Sequence, residues 1–232
     1  MNTIEAAQVL DVRHTWKSAK IIYEVVRVLQ EIETGSVLKL IMKREEGISK
    51  DIATWCDTRG HEILNPGSQG EGNEKDTAIF LRKGEGARRI EKIMTVIVST
   101  ADLEHVVYPL DKALAGALLG MKMNIVLEGA GVRLLKRGYR SKLSGNIGRF
   151  FTTIVERVMK KEIGWPLPQE TLRILEYLGS HFYVCGPSMV GYGVRKEDLI
   201  VTNCTIAATI TWADLLIRSD IHIFSKAQFE KP

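Results

Sequence analysis

Two near-continuous apolar runs, residues 93–99 (Ile-Met-Thr-Val-Ile-Val-Ser) and 121–127, constrain the fold of this chain more than any other feature. Runs without polar alternation read as strands buried on both faces, as in a parallel sheet covered by helices on either side. Between them Leu103, Val106, Val107, Leu110, Leu114, Ala117 and Leu118 fall at helical spacing, and Gly120 closes that helix. The pattern then repeats. Gly129-Ala130-Gly131 leads into a short helix at 132–137, stopped by Gly138; a strand at 181–185 ends on Cys185; a strand at 199–201, a helix at 206–216 and a strand at 221–224 follow. Strands alternating with helices predict a doubly wound parallel sheet with right-handed crossovers.

In such sheets ligands bind beyond the carboxyl ends of the strands. Three segments are placed there: Ser99-Thr100-Ala101-Asp102, Glu128-Gly129-Ala130-Gly131 and Cys185-Gly186. Cys185 ends its strand and is followed at once by a helix start: Gly186 permits the turn and Pro187 suits the first helical position. A sulfur beside the free N–H groups of a helix start is favoured as thiolate, the nucleophilic form. Cys185 is therefore the catalytic candidate, with Gly186, Ser188, Met189, Asp102, Gly129 and Gly131 as candidate substrate-binding residues. His181 and Tyr183 share the face of Cys185 by the period of two. Asp102 either orients a partner group or caps the helix that follows, the second being the better fit. Cys204 is expected at a strand end where a helix begins, a possible second thiol for a redox pair with Cys185. Gly129-Ala130-Gly131 lacks the third glycine of a dinucleotide fingerprint. The five histidines are scattered and no Cys-x-x-Cys or His-x-x-x-His occurs, so neither a metal site nor a cofactor is expected.

Residues 139–179 form a long insertion between the second strand and the Cys185 strand. Ile147, Phe150, Phe151, Ile154 and Val158 have helical spacing, Trp165-Pro166-Leu167-Pro168 breaks the chain, and Leu172, Leu175 and Leu178 mark another helix. An apolar face of this size is expected to pack between subunits.

The first 85 residues read differently: a strand at 9–12, a helix from Lys17 with Ile21, Val25, Val28, Leu29 and Ile32 on one face, a strand at 36–42, a helix at 48–58, a strand starting at 62–64, a mobile loop at 66–76 and a strand at 77–82. The order β-α-β-α-β-β predicts a two-layer α/β sandwich. Cys56 beside Trp55 is expected to be a buried structural thiol. A linker rich in glycine and charge occupies 86–91, and the second domain spans 92–232.

The first domain resembles the TusA-like (SirA-like) sulfur carriers in Leu10-Asp11-Val12-Arg13, the Thr34-Gly35 turn, Asp51-Ile52, Trp55-Cys56 and Gly60-His61-Glu62. That family carries sulfur on a Cys-Pro-x-Pro motif at the start of its first helix. Here Lys17, Ser18, Ala19 and Lys20 stand there, so the resemblance implies a docking or regulatory module. The second domain resembles the DsrE-like family, within it the single-chain branch with a helical insertion. The resemblance is carried by residues 99–103, 131–136, 182–189 with Cys185, 193–200 and 220–224. It implies an oligomeric sulfur-trafficking protein that holds sulfane sulfur as a persulfide on Cys185, served by sulfur-relay proteins or by small persulfide or thiosulfate donors. Many relatives have Cys-x-Met-Ser-Met, where this chain has Cys185-Gly186-Pro187-Ser188-Met189. The alternative is a scaffold of a relay complex without turnover.

Several classes are disfavoured. The net charge of +4 is spread along the chain, which does not suggest a nucleic-acid partner. No apolar run approaches the roughly 18 residues of a membrane span. The start Met1-Asn2-Thr3-Ile4-Glu5 lacks the basic and apolar parts of a signal peptide, and three cysteines without framework spacing argue against a secreted disulfide scaffold, so a cytoplasmic location is expected.

Overall fold

The computed structural model describes residues 4–69, 75–85 and 90–225. The chain divides into two compact units: one of residues 1–89, 118–120 and 157–165, the other of 90–117, 121–156 and 166–232.

In the first unit the order is β1 (Gln8–Asp11), α1 (Ser18–Glu31), β2 (Val37–Lys43), α2 (Glu46–Arg59), β3 (Glu62–Gln69) and β4 (Asp76–Arg82). The sheet order is β1-β2-β4-β3, parallel between β1 and β2 and antiparallel elsewhere. Strand β2 alternates: Leu38, Leu40 and Met42 are buried, while Val37, Lys39, Ile41 and Lys43 are half-buried. The buried residues meet Ile21, Val25 and Leu29 of α1 and Ile52, Trp55 and Cys56 of α2 in one core. Both helices therefore serve one face of the sheet. Helix α2 ends on Gly60, whose φ of +75° lets its N–H turn back to the carbonyls of Cys56 and Asp57. The loop expected at 66–76 is shorter, because β3 continues to Gln69 through register shifts opposite β4. Its residues 70–74, and the linker residues 86–89, lie outside those described.

At the start of α1, Lys17 is the N-cap and makes no side-chain cap. Its ammonium lies 3.8 Å from the centre of the Trp165 ring, and Lys20 pairs with Glu24 at 3.1 Å. Ring and carboxylate thus compensate two cations at a helix end that disfavours them.

The second unit holds β5 (Ile93–Val98), α3 (Leu103–Leu119), β6 (Lys122–Leu127), α4 (Asn146–Arg157), α5 (Pro168–Tyr177), β7 (His181–Cys185), α6 (Gly186–Gly191), β8 (Cys204–Ala207), α7 (Thr209–Ile217) and β9 (Ile221–Phe224). Helices α3 and α4 run on at their C-terminal ends into residues assigned to the first unit. The five strands are all parallel, in the order β8-β7-β6-β5-β9. The apolar runs of β5 and β6 are buried on both faces, as their lack of alternation predicts. The chain leaves β6 through a 3-10 turn, Gly129–Leu135, where a short helix at 132–137 is expected from the sequence. Among the described residues no helix is long and apolar enough to cross a membrane.

One strand is displaced from its expected place. Residues 199–201 form no strand of the sheet. Leu199 makes an isolated antiparallel bridge with Lys136, and the Ile200 N–H donates to the Leu135 carbonyl at 2.9 Å. The edge strand is β8, five residues later, and it precedes α7. Its approach is fixed by the Glu176 carboxylate, which accepts from the backbone N–H groups of Thr202 and Asn203 and from the Thr202 hydroxyl.

Candidate functional site

Cys185 is the last residue of β7, at the carboxyl edge of the parallel sheet, and the six-residue helix α6 starts immediately after it. Pro187 lies in the first turn, as expected. Gly186 makes the turn without a positive φ, as the first residue of α6, and an added Cβ would sit 3.3 Å from Ile206 Cγ2. Its smallness serves a close approach to β8 rather than a special turn.

Strand β7 alternates, with Phe182 and Val184 fully buried and His181, Tyr183 and Cys185 half-buried on the other face. On that face Tyr183, Cys185 and Ala207 pack against the buried cluster of Ile97, Val126, Trp212 and Leu215. The Tyr183 ring meets His181 at 4.7 Å and Trp212 at 6.4 Å between centroids. The His181 nitrogens are engaged, Nδ1 with Asn203 Oδ1 at 2.9 Å and Nε2 with Thr205 Oγ1 at 2.8 Å. His181 and Tyr183 are thus packed side chains that brace the strand behind the sulfur.

The other two cysteines do not join it. Cys56 is buried in the first unit, and burial pushes its thiol up to about 12. Cys204 begins β8 instead of ending a strand. In the register Cys204 lies opposite Phe182, while Cys185 lies opposite Ala207, three residues further along. The two sulfurs therefore leave opposite faces of the sheet, with Cα atoms separated by about 10 Å at the strand rise. A disulfide needs Cα atoms within about 7 Å, so this geometry does not provide the Cys185–Cys204 redox pair. Burial raises the Cys204 thiol above its ordinary range.

The neighbouring strand ends are cross-linked. The Gly129 N–H donates to Ser188 Oγ at 2.9 Å, which ties the turn after β6 to α6. Ser99 Oγ donates to the Glu128 carboxylate at 2.9 Å, and the Glu128 N–H donates to the Val98 carbonyl at 3.1 Å. Gly129 adopts a φ of +50°, and a Cβ on Gly131 would lie 2.1 Å from the Val98 carbonyl oxygen. Both glycines thus allow close backbone contact across the sheet edge. Met189 points inward and is 6% exposed. Of the residues expected at the site, Cys185, Gly186, Ser188, Gly129 and Gly131 are brought to one edge.

Asp102 belongs to another constellation. Its carbonyl accepts from the Val106 N–H at 3.2 Å, the backbone arrangement of an N-cap, and its carboxylate lies 3.9 Å from His105 Nδ1. It lines a cavity of about 200 Å³ with Arg133, Tyr139, Arg140, Lys142 and Arg149. The sequence reading missed this basic cavity. Its signal was the run of cations from Arg133 to Arg149, which reads equally as a solvated surface. On the insertion, α4 shows Ile147 and Phe150 about 80% exposed, 79% and 81%, with Ile154 also exposed.

Comparison with known proteins adds three findings. The family model described as "DsrE/DsrF-like family" matches residues 92–224. The crystal structure of the ychN protein from E. coli is similar, with 17% identity and a TM-score of 0.42, over 58% of this chain and 99% of that one. No curated protein matches the sequence.

Proposed function

Because the chain belongs to the DsrE/DsrF-like family, whose members are generally sulfur-relay proteins, we propose that it carries sulfane sulfur as a persulfide on Cys185. The observation that carries this reading is the position of that thiol: half-buried, at the carboxyl end of a central-sheet strand, where open α/β sheets bind ligands. The step is a thiol exchange. The Cys185 thiolate attacks the outer sulfur of a donor persulfide, R–S–SH. A new S–S bond forms to Sγ, the donor S–S bond breaks, and R–S⁻ leaves with the electron pair. Thiosulfate would deliver its outer sulfur in the same way, with sulfite leaving. No external oxidant or reductant is consumed.

Cys185 and Gly186, with Ser188 and Gly129 holding the loop behind them, would form the transfer site. The first unit, with its β-α-β-α-β-β order, is read as a TusA-like module spanning 1–85. With Lys17 and Ser18 at the head of α1 in place of a carrier cysteine, it would dock relay partners and carry no sulfur. The second domain would span 92–232, and the protein would act in the cytoplasm as a homo-oligomer, which the exposed apolar residues of α4 support.

The test is intact-mass analysis after exposure to polysulfide or thiosulfate. The expected result is the gain of one sulfur, removed by a reducing thiol and absent in Cys185→Ser. A Cys185→Ser protein that gains sulfur like the wild type overturns the proposal.

A further inference from the structure

We propose that the segment Thr15-Trp16-Lys17 of the first unit is a peptide-docking site that the chain keeps closed with a strap of its own, the corner Ile163-Gly164-Trp165. The proposal rests on the docking role read for the first unit, and gives that role a ligand chemistry and a lock. Residues 157–165 belong to the first unit, while the segments before and after them, 121–156 and 166–232, belong to the second. The corner is held as a bound peptide is held, through its backbone and one side chain. The Trp16 N–H donates to the Ile163 carbonyl at 2.8 Å. Thr15 is 1% exposed. Its hydroxyl accepts from the Lys17 N–H at 3.1 Å, which leaves its own hydrogen for the Ile163 and Gly164 carbonyls, 3.2 and 3.1 Å away. The Lys17 ammonium lies 3.8 Å from the centre of the Trp165 ring.

The fit specifies the ligand. Gly164 adopts a φ of +70°, and a Cβ there would lie 2.3 Å from both Cβ and Oγ1 of Thr15. Only glycine takes that backbone at that distance without strain. The residue after it must be aromatic to lie under the Lys17 ammonium. The site therefore suits a peptide with a glycine–aromatic pair, its glycine left-handed and the carbonyl before it turned to the Trp16 N–H.

Little buried surface holds the strap down. Of residues 157–165 only Met159 is buried, and Lys160, Lys161 and Glu162 are exposed. The corner follows a π-helical turn, Val158–Ile163, a rare form that is frequent at functional sites. Pro166 and Pro168 come directly after it, so no helix runs through the corner. Hydrogen bonds and cation–ring contacts at a solvent edge are individually weak. A segment held in this way opens ahead of the unit as a whole.

The probe is a synthetic peptide of residues 157–168, labelled with fluorescein at its N-terminus and followed by anisotropy against the full chain. Gly164→Ala drives the strap off by its clash with Thr15 and leaves residues 15–17 unaltered. Folded by circular dichroism, it should bind the peptide saturably and at least about tenfold more tightly than the wild type, whose site is filled. Trp165→Ala in the protein opens the strap without a clash and should do the same, while the peptide carrying Trp165→Ala should lose that binding. In the wild type, hydrogen exchange at the Trp16 amide should run at least about a hundredfold faster than at the amide of Val25, on the buried face of α1. Peptide binding no tighter in the folded variants than in the wild type, or equal exchange at the two amides, overturns the site. Sulfur gain at Cys185 is read separately by mass, so a failure of the carrier reading is distinct from a failure here.

Discussion

Gly131→Ala is the substitution whose cost the structure sets most directly. The position is fully buried, and its added Cβ would lie 2.1 Å from the Val98 carbonyl oxygen and 2.9 Å from the Val98 carbonyl carbon. Ordinary contact begins at 3.4 Å, so the strand end and the turn after β6 must part by more than an ångström. Neither can yield freely. Val98 ends β5, which is paired on both sides, and its carbonyl accepts the Glu128 N–H. Overpacking of this kind costs typically 1–3 kcal/mol. Taking about 2 kcal/mol, a unit of this size should melt about 6–12 °C lower in calorimetry. Two controls separate steric cost from backbone strain. Gly138 has a φ of +76° and nothing within 4 Å, so Gly138→Ala should cost only the left-handed penalty, about 1–2 kcal/mol. Gly191 has an ordinary φ and open space, so Gly191→Ala should be neutral or slightly stabilising. The displaced turn also carries the Gly129–Ser188 hydrogen bond, so the alkylation rate of Cys185 should change in Gly131→Ala and stay at the wild-type value in Gly191→Ala. A Gly131→Ala protein that melts with the wild type refutes the close approach and the ordering of the edge derived from it.

The remaining predictions concern thiols, pH and assembly. Iodoacetamide at neutral pH, read by peptide mass, should modify Cys185 and spare Cys56 until the protein unfolds. With its thiol near 12, Cys56 holds about one part in ten thousand as thiolate at pH 8. Ser188→Ala removes the acceptor for the Gly129 N–H and should cost about 1 kcal/mol in urea unfolding while exposing Cys185 to faster alkylation. Burial raises the Glu176 carboxyl, but the N–H groups of Asn203 and Thr202 and the Thr202 hydroxyl outweigh it, and the net shift is downward. A carboxylate lowered in the fold stabilises above its unfolded pKa, and that stability disappears as pH falls through the lower folded value. Glu176→Gln should therefore destabilise at pH 7 and converge with the wild type in acid, as urea midpoints measured from pH 7 to pH 3 will reveal. Phe150→Asp should lower the mass seen by light scattering if α4 packs between subunits; an unchanged oligomer rejects that packing.

The central architecture was legible because β5 and β6 are buried on both faces, and such burial leaves an unbroken apolar run in the sequence. Cys185 was legible for a related reason: a strand followed directly by Gly-Pro has little choice but to stop and enter a helix. Where the reading erred, the residues carried burial without carrying pairing. Leu199, Ile200 and Val201 are apolar and largely buried, yet they bury as a crossing segment held by the Leu135 carbonyl, while the true edge strand, Cys204–Ala207, is largely exposed and pairs with β7 alone. An apolar triplet reports that a segment is covered and says nothing of which backbone covers it. The same limit hid the basic cavity. Arg133, Arg140, Lys142 and Arg149 are spread over seventeen positions with no common period, and they converge only because a 3-10 turn, a loop pinned to α3 and the start of α4 meet at one place. Convergence of that kind depends on hydrogen bonds between distant segments, Leu103 to Lys142 and Ser144 to Glu104, for which a linear sequence holds no signature. Its consequence is testable in the fold itself: Glu104→Gln weakens the acceptor that holds Ser144, so hydrogen exchange at the Ser144 amide should quicken while β5, β6 and the Cys185 edge keep their protection; an unchanged Ser144 exchange rate refutes that pinning.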